Sequence, residues 1–335
     1  MSDSHVTRRA FVKAGAAGTA GLALGAATSA GQERGPERRP PRERREDPHQ
    51  RTASPMPERP LGRTGHHVRM FSLGGQAVLE QATPGARERS IDIISRAIDL
   101  GVNYIDTAAA YGSGTSESRI GEVMARRRDE VFLASKTGYR TRDGALRQLN
   151  ESLTLLKTDH LDLWQLHNMQ TDAEVDQVFA RGGAMEAFEQ ARLEGMVRFL
   201  GITGHYDPDV LVRAVSRYPF DTILMALNAA DRYWRPFTET LLPLANAKRM
   251  GIIAMKIPGR GRVFRAGGLT AMSDAMNYVL SLAVNTVIVG CDTVQQLEEN
   301  VAIASRFRPL ADTEMRRIEG LTASYASDAS WFKRG

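Results

Sequence analysis

From Val68 onward the chain repeats one pattern eight times: a short apolar run, then an amphipathic helical stretch. The runs are Phe71–Gly74, Asn103–Asp106, Val131–Ser135, Leu161–Leu166, Phe199–Thr203, Thr222–Leu227, Ile252–Ile257 and Thr286–Val289. Helical patterns follow over Arg87–Leu100, Ser116–Met124, Gly144–Leu156, Met185–Glu194, Pro208–Arg217, Phe237–Arg249, Met272–Leu282 and Val294–Ser305. In the first, Ile91, Ile94, Ala97 and Ile98 share a face, and Ser116 can cap the second. Eight strand–helix units spread over roughly 240 residues match a (β/α)8 TIM barrel in count and size. The competing doubly wound sheet usually carries G-x-G-x-x-G after its first strand, and that fingerprint is missing here. The barrel is the expected fold, over residues 59–335, and its active site is expected at the C-terminal ends of the strands.

The rest of the chain reads differently. Residues 1–30 open with a twin arginine, Arg8–Arg9, followed by an Ala/Gly-rich stretch and a small-residue close, Thr28-Ser29-Ala30. This is the layout of an export signal, and the paired arginines resemble the twin-arginine type. A retained anchor and a chance arginine pair are the alternatives. The apolar stretch is short and glycine-rich for a membrane span, which needs about 20 strongly apolar residues. Residues 31–58 are rich in Pro, Arg and Glu and nearly free of large apolar side chains, the composition of a disordered linker. The signal implies a periplasmic or extracytoplasmic destination and the twin-arginine export machinery as a partner.

The net charge of +5 does not point to nucleic acid, because acids and bases are mixed along most of the chain. The densest arginines, Arg38 to Arg45, also carry glutamates and read as a solvated linker. The single cysteine, Cys291, excludes an intramolecular disulfide and a multi-cysteine metal site. No long coiled-coil pattern is present, so a monomer or small homo-oligomer is expected.

The polar residues at the strand ends carry the chemistry. The second run ends in Asp106, with Tyr111 in the following loop; the third ends near Lys136; the fourth is followed by His167. Each alone has a bland reading: a turn residue or helix cap, a rim phenol, a partner for any acid, a structural histidine. Barrel topology brings all four to one face. A phenol has an ordinary pKa of about 10, so it is a poor acid near neutrality. A lysine ammonium beside it favours phenolate, and an aspartate can orient that lysine. Tyr111 can then protonate a carbonyl oxygen as hydride reaches the carbon, with His167 hydrogen-bonding the same oxygen. No metal is required.

"NYIDTAAAYGSGTSESRIGEVM", "LASKTG", "LDLWQLHN" and "VIVGCDTVQQLEENV" resemble the aldo/keto reductase superfamily, and the similarity runs from about Leu61 to Phe307. The resemblance implies a (β/α)8 barrel that holds an extended nicotinamide dinucleotide without a Rossmann motif. It also implies a catalytic tetrad at Asp106, Tyr111, Lys136 and His167. For the cofactor it implies contacts at Thr203 after the fifth strand and at Gly290, Gln296, Glu299 and Asn300 after the eighth. Lys256 and Arg260, with Arg262 nearby, are expected to meet phosphate, against a solvated basic loop as the bland reading.

The sequence departs from the family in three places. Gly204 stands where an amide side chain usually holds the nicotinamide carboxamide, leaving Asn168 or His205 as replacements. Ala226 stands where a glutamine often precedes Asn228. Gln296 stands where a base often meets the ribose 2′-phosphate. NADP(H) is the expected cofactor, with NAD(H) as the alternative. The expected substrate is a small-molecule carbonyl or alcohol, with Tyr206, Tyr233, Trp234 and Trp331 as pocket walls. Trp164, within a strand, reads as core. Two other functions stay open: a lyase or aldolase using Lys136 as a Schiff-base amine, and an exported nucleotide-binding regulatory barrel without turnover. The stretch after Asp312 reads as one more helix and a loose end.

Overall fold

The computed structural model describes residues 54–333. The expected export signal and most of the Pro/Arg/Glu-rich stretch lie outside the described residues. A three-residue antiparallel hairpin comes first, β1 (Glu58–Pro60) with β2 (His67–Arg69). The barrel strands are β3 (Phe71–Gly74), β4 (Tyr104–Asp106), β5 (Phe132–Thr137), β6 (Leu161–Leu166), β7 (Val197–Gly204), β8 (Thr222–Ala226), β9 (Gly251–Met255) and β10 (Thr286–Val289). They pair in parallel and close on themselves, β10 with β3. Outside them lie α1 (Ala86–Asp99), α2 (Thr115–Arg127), α3 (Arg142–Leu155), α4 (Asp172–Phe179), α5 (Ala184–Leu193), α6 (Pro208–Arg217), α7 (Leu241–Ala247), α8 (Met272–Ser281) and α9 (Val294–Ser305). Two more helices, α10 (Asp312–Thr322) and α11 (Ala326–Ala329), follow. The fold is the (β/α)8 TIM barrel.

Two cores hold it. One lies between the strands and the helices; the other fills the barrel interior with Tyr104, Phe132, Leu163, Leu224 and Ile253. The hairpin contributes Leu61 and Val68 to this inner core. They meet the first residues of β4 and β5, so the hairpin closes the N-terminal end and leaves the other end open. Among the described residues no helix is long and apolar enough to cross a membrane.

The structure corrects the expected boundary at Arg59. Met56 is buried and its Sδ accepts the Phe71 N–H, while Ser54 Oγ donates to the Leu100 carbonyl. The end of the expected linker therefore belongs to the fold. The last described residues are also not loose. Lys333 is buried, donating from Nζ to Asp231 Oδ1 at 2.5 Å and to the carbonyls of Trp234 and Arg235 at 2.8 and 2.9 Å.

Candidate active site

Three neighbouring strands deliver the site. β4 ends in Asp106, β5 carries Lys136 one residue from its end, and His167 directly follows β6. The register opposes Asp106 to Ala134 and Lys136 to Gln165, so these residues come to adjacent levels of one barrel end. Tyr111 sits on the loop after β4, its N–H donating to the Ala108 carbonyl at 2.9 Å. The next residue, Gly112, has φ 57°, and a Cβ there would lie 2.4 Å from the Glu80 carbonyl oxygen. A glycine is what lets this loop turn back beneath its neighbour.

Lys136 is fully buried, and its ammonium donates to Asp106 Oδ1 in an ion pair, to the Thr107 carbonyl at 2.7 Å and to Tyr111 Oη at 3.5 Å. Burial works to lower the Lys136 pKa, but Asp106 outweighs it with help from Tyr111, and the net shift is upward. Lys136 is therefore charged near neutrality. Burial also raises the Tyr111 phenol, with Lys136 partly offsetting it. Lysine thus pulls toward phenolate as expected, but burial wins and the phenol keeps its proton. The His167 ring meets Tyr111 edge-on, centroids 5.7 Å apart. Burial, then the charge of Lys136, push its pKa down to about 3. A neutral imidazole has one N–H to donate.

A cleft of about 670 Å³ starts at Asp106 and Tyr111 and is lined further along by Lys256, Arg260, Gly290, Gln296, Glu299 and Asn300. Lys256 has left-handed backbone, φ 65°. Burial and then Arg260 push its ammonium down to about 8. Two cations crowded together in a cleft make a place prepared for an anion. A Cβ at Gly290 would lie 3.2 Å from the Ala77 Cβ, so the cleft wall runs close there. In the first turn of α9, Thr293 Oγ1 accepts the Gln296 N–H at 3.1 Å. Gln296 Oε1 accepts the Asp292 N–H at 2.8 Å. Asn300 Nδ2 lies 3.5 Å from the sulfur of buried Cys291, and Glu299 accepts from Gln295 at 2.9 Å. The volume and mixed lining suit an extended nucleotide.

Asn168 and Thr203 do not line this cleft; the structure joins them to each other instead. Thr203 Oγ1 accepts the Asn168 N–H at 2.7 Å. Asn168 Oδ1 is buried and has no hydrogen-bond partner among the described residues. Asn228 uses its amide on the Lys256 carbonyl and the Ala230 N–H, bracing the basic loop from behind. His205 Nδ1 lies 3.2 Å from the Phe332 carbonyl, which fixes the proton on that nitrogen. Burial and Lys256 lower its pKa to about 4. Trp331 Nε1 donates to the Gly259 carbonyl at 3.3 Å, with Arg260 and Arg262 over its ring. Tyr233 and Trp234 are exposed on the loop after β8, Arg235 covers Tyr206, and Trp164 is core, stacked on Phe188 at 4.0 Å.

The sequence reading passed over three contributors. Gln165 donates from Nε2 to Asp106 Oδ2 at 3.0 Å. Arg140 donates to the carbonyls of His167 and Asn168 at 2.9 and 3.2 Å and pairs with Glu174 at 3.0 Å. Glu174 belongs to α4, a helix absent from the eight expected. Its signal was present: Thr171 and Glu174 form a capping box, S/T-x-x-E, at the helix start. The third is the chain end, which reaches His205 through Phe332.

Comparison with known proteins agrees with the fold. The model of the aldo/keto reductase family matches residues 71–269. An uncharacterised oxidoreductase of Bacillus subtilis, YqkF, is 27% identical over 313 residues, covering 80% of this chain and 97% of its own. The L-galactose dehydrogenase of Arabidopsis thaliana is 25% identical over 289 residues, covering 75% of this chain and 89% of its own. Among solved structures, the holo form of aldo-keto reductase AKR11C1 from Bacillus halodurans superposes with a TM-score of 0.67 at 26% identity. It covers 79% of this chain and 96% of that one. With its closed parallel barrel and the cluster at one end of it, the chain belongs to the aldo/keto reductase family.

Proposed function

We propose that the protein reduces an aldehyde or ketone to an alcohol, or runs the reverse, with Tyr111 as the general acid and NADP(H) as the preferred cofactor. The carrying observation is the chain Asp106–Lys136–Tyr111 beside a neutral His167, at one end of a cleft that carries two cations further along. When bound, the nicotinamide supplies or takes up a hydride at the substrate carbon. Lys256 and Arg260 would hold phosphate, and Gln296, Glu299 and Asn300 would line the adenosine end. As the carbonyl π pair moves onto oxygen, Tyr111 gives that oxygen its proton. The charged Lys136 stabilises the phenolate left behind, and Asp106 holds Lys136 in place. His167 donates a hydrogen bond to the same oxygen. Asn168, Thr203 and His205 would be the partners offered to the nicotinamide carboxamide.

The Schiff-base reading is disfavoured by the same contacts. A nucleophilic amine must shed its proton, whereas Asp106 keeps Lys136 charged and three acceptors surround it. Twin-arginine export remains part of the proposal, resting on Arg8–Arg9. Folded proteins travel that route, so the nucleotide would be loaded before export. Paired lysines at positions 8 and 9 should leave the protein in the cytoplasmic fraction; unchanged fractionation would remove that part.

The test is fluorescence titration of residues 54–335 with NADPH and NADH, then a panel of aldehydes, ketones and quinones. Saturable quenching with turnover is the expected result. Binding without turnover on any carbonyl would favour the regulatory barrel. No binding by folded, nucleotide-free protein would overturn the redox reading.

A further inference from the structure

We propose that Gln165 is a positioning residue of the reductase site, fixing the direction in which Asp106 faces Lys136. The inference rests on the reductase reading for its consequence in catalysis, but on contacts alone for its geometry.

Gln165 stands on β6, directly opposite Lys136 in the parallel ladder and two residues before His167. It is wholly buried. Its Nε2 donates to Asp106 Oδ2 at 3.0 Å, while Lys136 occupies Oδ1. The Tyr104 hydroxyl reaches Oδ2 only at 3.5 Å. A carboxylate gripped at one oxygen can swing about its Cβ–Cγ bond; gripped at both, it cannot. The Gln165 amide is the grip on the second oxygen.

The other end of the same amide supports this assignment. Gln165 Oε1 is buried and has no hydrogen-bond partner among the described residues. Turning the amide over would set that carbonyl against the Asp106 carboxylate, acceptor facing acceptor. The side chain therefore keeps an unsatisfied carbonyl so that its N–H can serve Asp106. An apolar residue of equal length would avoid that penalty and pack the same space. Nothing in the packing of β6 asks for an amide here; Asp106 does.

The consequence reaches Tyr111 through Lys136. If Asp106 turns away, the ammonium loses its fixed partner and the phenol loses its fixed neighbour. Besides Asp106 and Tyr111, the ionisable groups acting on or beside this pair are Glu80, Tyr104, Glu117, His167 and Lys256. None of them is altered by a change at Gln165.

The experiment uses Gln165→Met, which removes the amide at equal length, and Gln165→Asn, which keeps an amide one methylene too short. The protein is labelled with 13Cε-lysine and titrated by NMR, with the Lys136 signal assigned by its loss in Lys136→Met. In both variants Lys136 should titrate at lower pH than in the intact protein, by about half a unit or more. With any carbonyl the intact protein turns over, kcat should fall about ten- to a hundredfold, with KM and nucleotide Kd within about twofold. An unmoved Lys136 titration in either folded variant would overturn the proposal. So would loss of nucleotide binding in both, which would assign Gln165 to the fold. The lysine titration needs no substrate. A failure to find any turnover by the intact protein would thus overturn the reductase reading and leave this result to stand or fall separately.

Discussion

At the scale of single residues, burial and charge oppose one another in the site. Burial raises Tyr111 and lowers His167, so one group keeps a proton to give and the other stays neutral. Beside them Lys136, paired to Asp106, keeps its charge against burial. Lys256 is poised differently, at about 8, with burial and Arg260 both pressing on it. Its ammonium is complete below that pH and lost above it. An anionic nucleotide favours the charged form, so affinity should weaken as pH rises through about 8. Lys256→Met should bind more weakly near neutrality and show a flatter profile, measured as Kd by fluorescence between pH 6 and 10. At the end proposed for the adenosine, Gln296 lines the cleft with no charge of its own. Gln296→Arg should raise NADPH affinity relative to NADH by about tenfold, the worth of one charge-assisted hydrogen bond. An unchanged ratio would place the 2′-phosphate elsewhere.

At the scale of elements, the apolar runs were legible because barrel strands are buried on both faces and read as continuous hydrophobic stretches. Leu161–Leu166, Thr286–Val289 and the helices Pro208–Arg217 and Val294–Ser305 lie where the pattern puts them. The helix read over Phe237–Arg249 is shorter, Leu241–Ala247. Thr238 before it is instead tied to Asp231 through its N–H and hydroxyl. The hairpin escaped notice because its three-residue strands, ERP and HVR, are mostly polar. Val68 and the nearby Leu61 are the apolar residues that commit it to the barrel floor. The chain end escaped for a related reason. Its anchor is a lysine, a residue type almost always exposed, here buried against Asp231. Removing one partner of a buried ion pair strands the other. Lys333→Met should therefore lower stability by about 3–5 kcal/mol, read as a drop in Tm. An unchanged Tm would mean the end of the chain adds nothing to the fold.

At the scale of the whole molecule, the barrel gathers on one rim what the sequence scatters over some 200 positions, from Asp106 to Asn300. The four proposed catalytic residues were legible because each sits in a motif at a strand end. Their supports were not, since a glutamine within LDLWQL or an arginine in a loop has no local signature; only the register makes Gln165 a neighbour of Lys136. The central claim is that Tyr111 transfers the proton and does not serve binding. The most direct measurement is turnover of the best carbonyl by the intact protein and by Tyr111→Phe, alongside nucleotide Kd for both. The account predicts a fall in kcat of about 10²- to 10⁴-fold with Kd unchanged within about twofold. Turnover preserved in Tyr111→Phe, with nucleotide bound equally well, would contradict it.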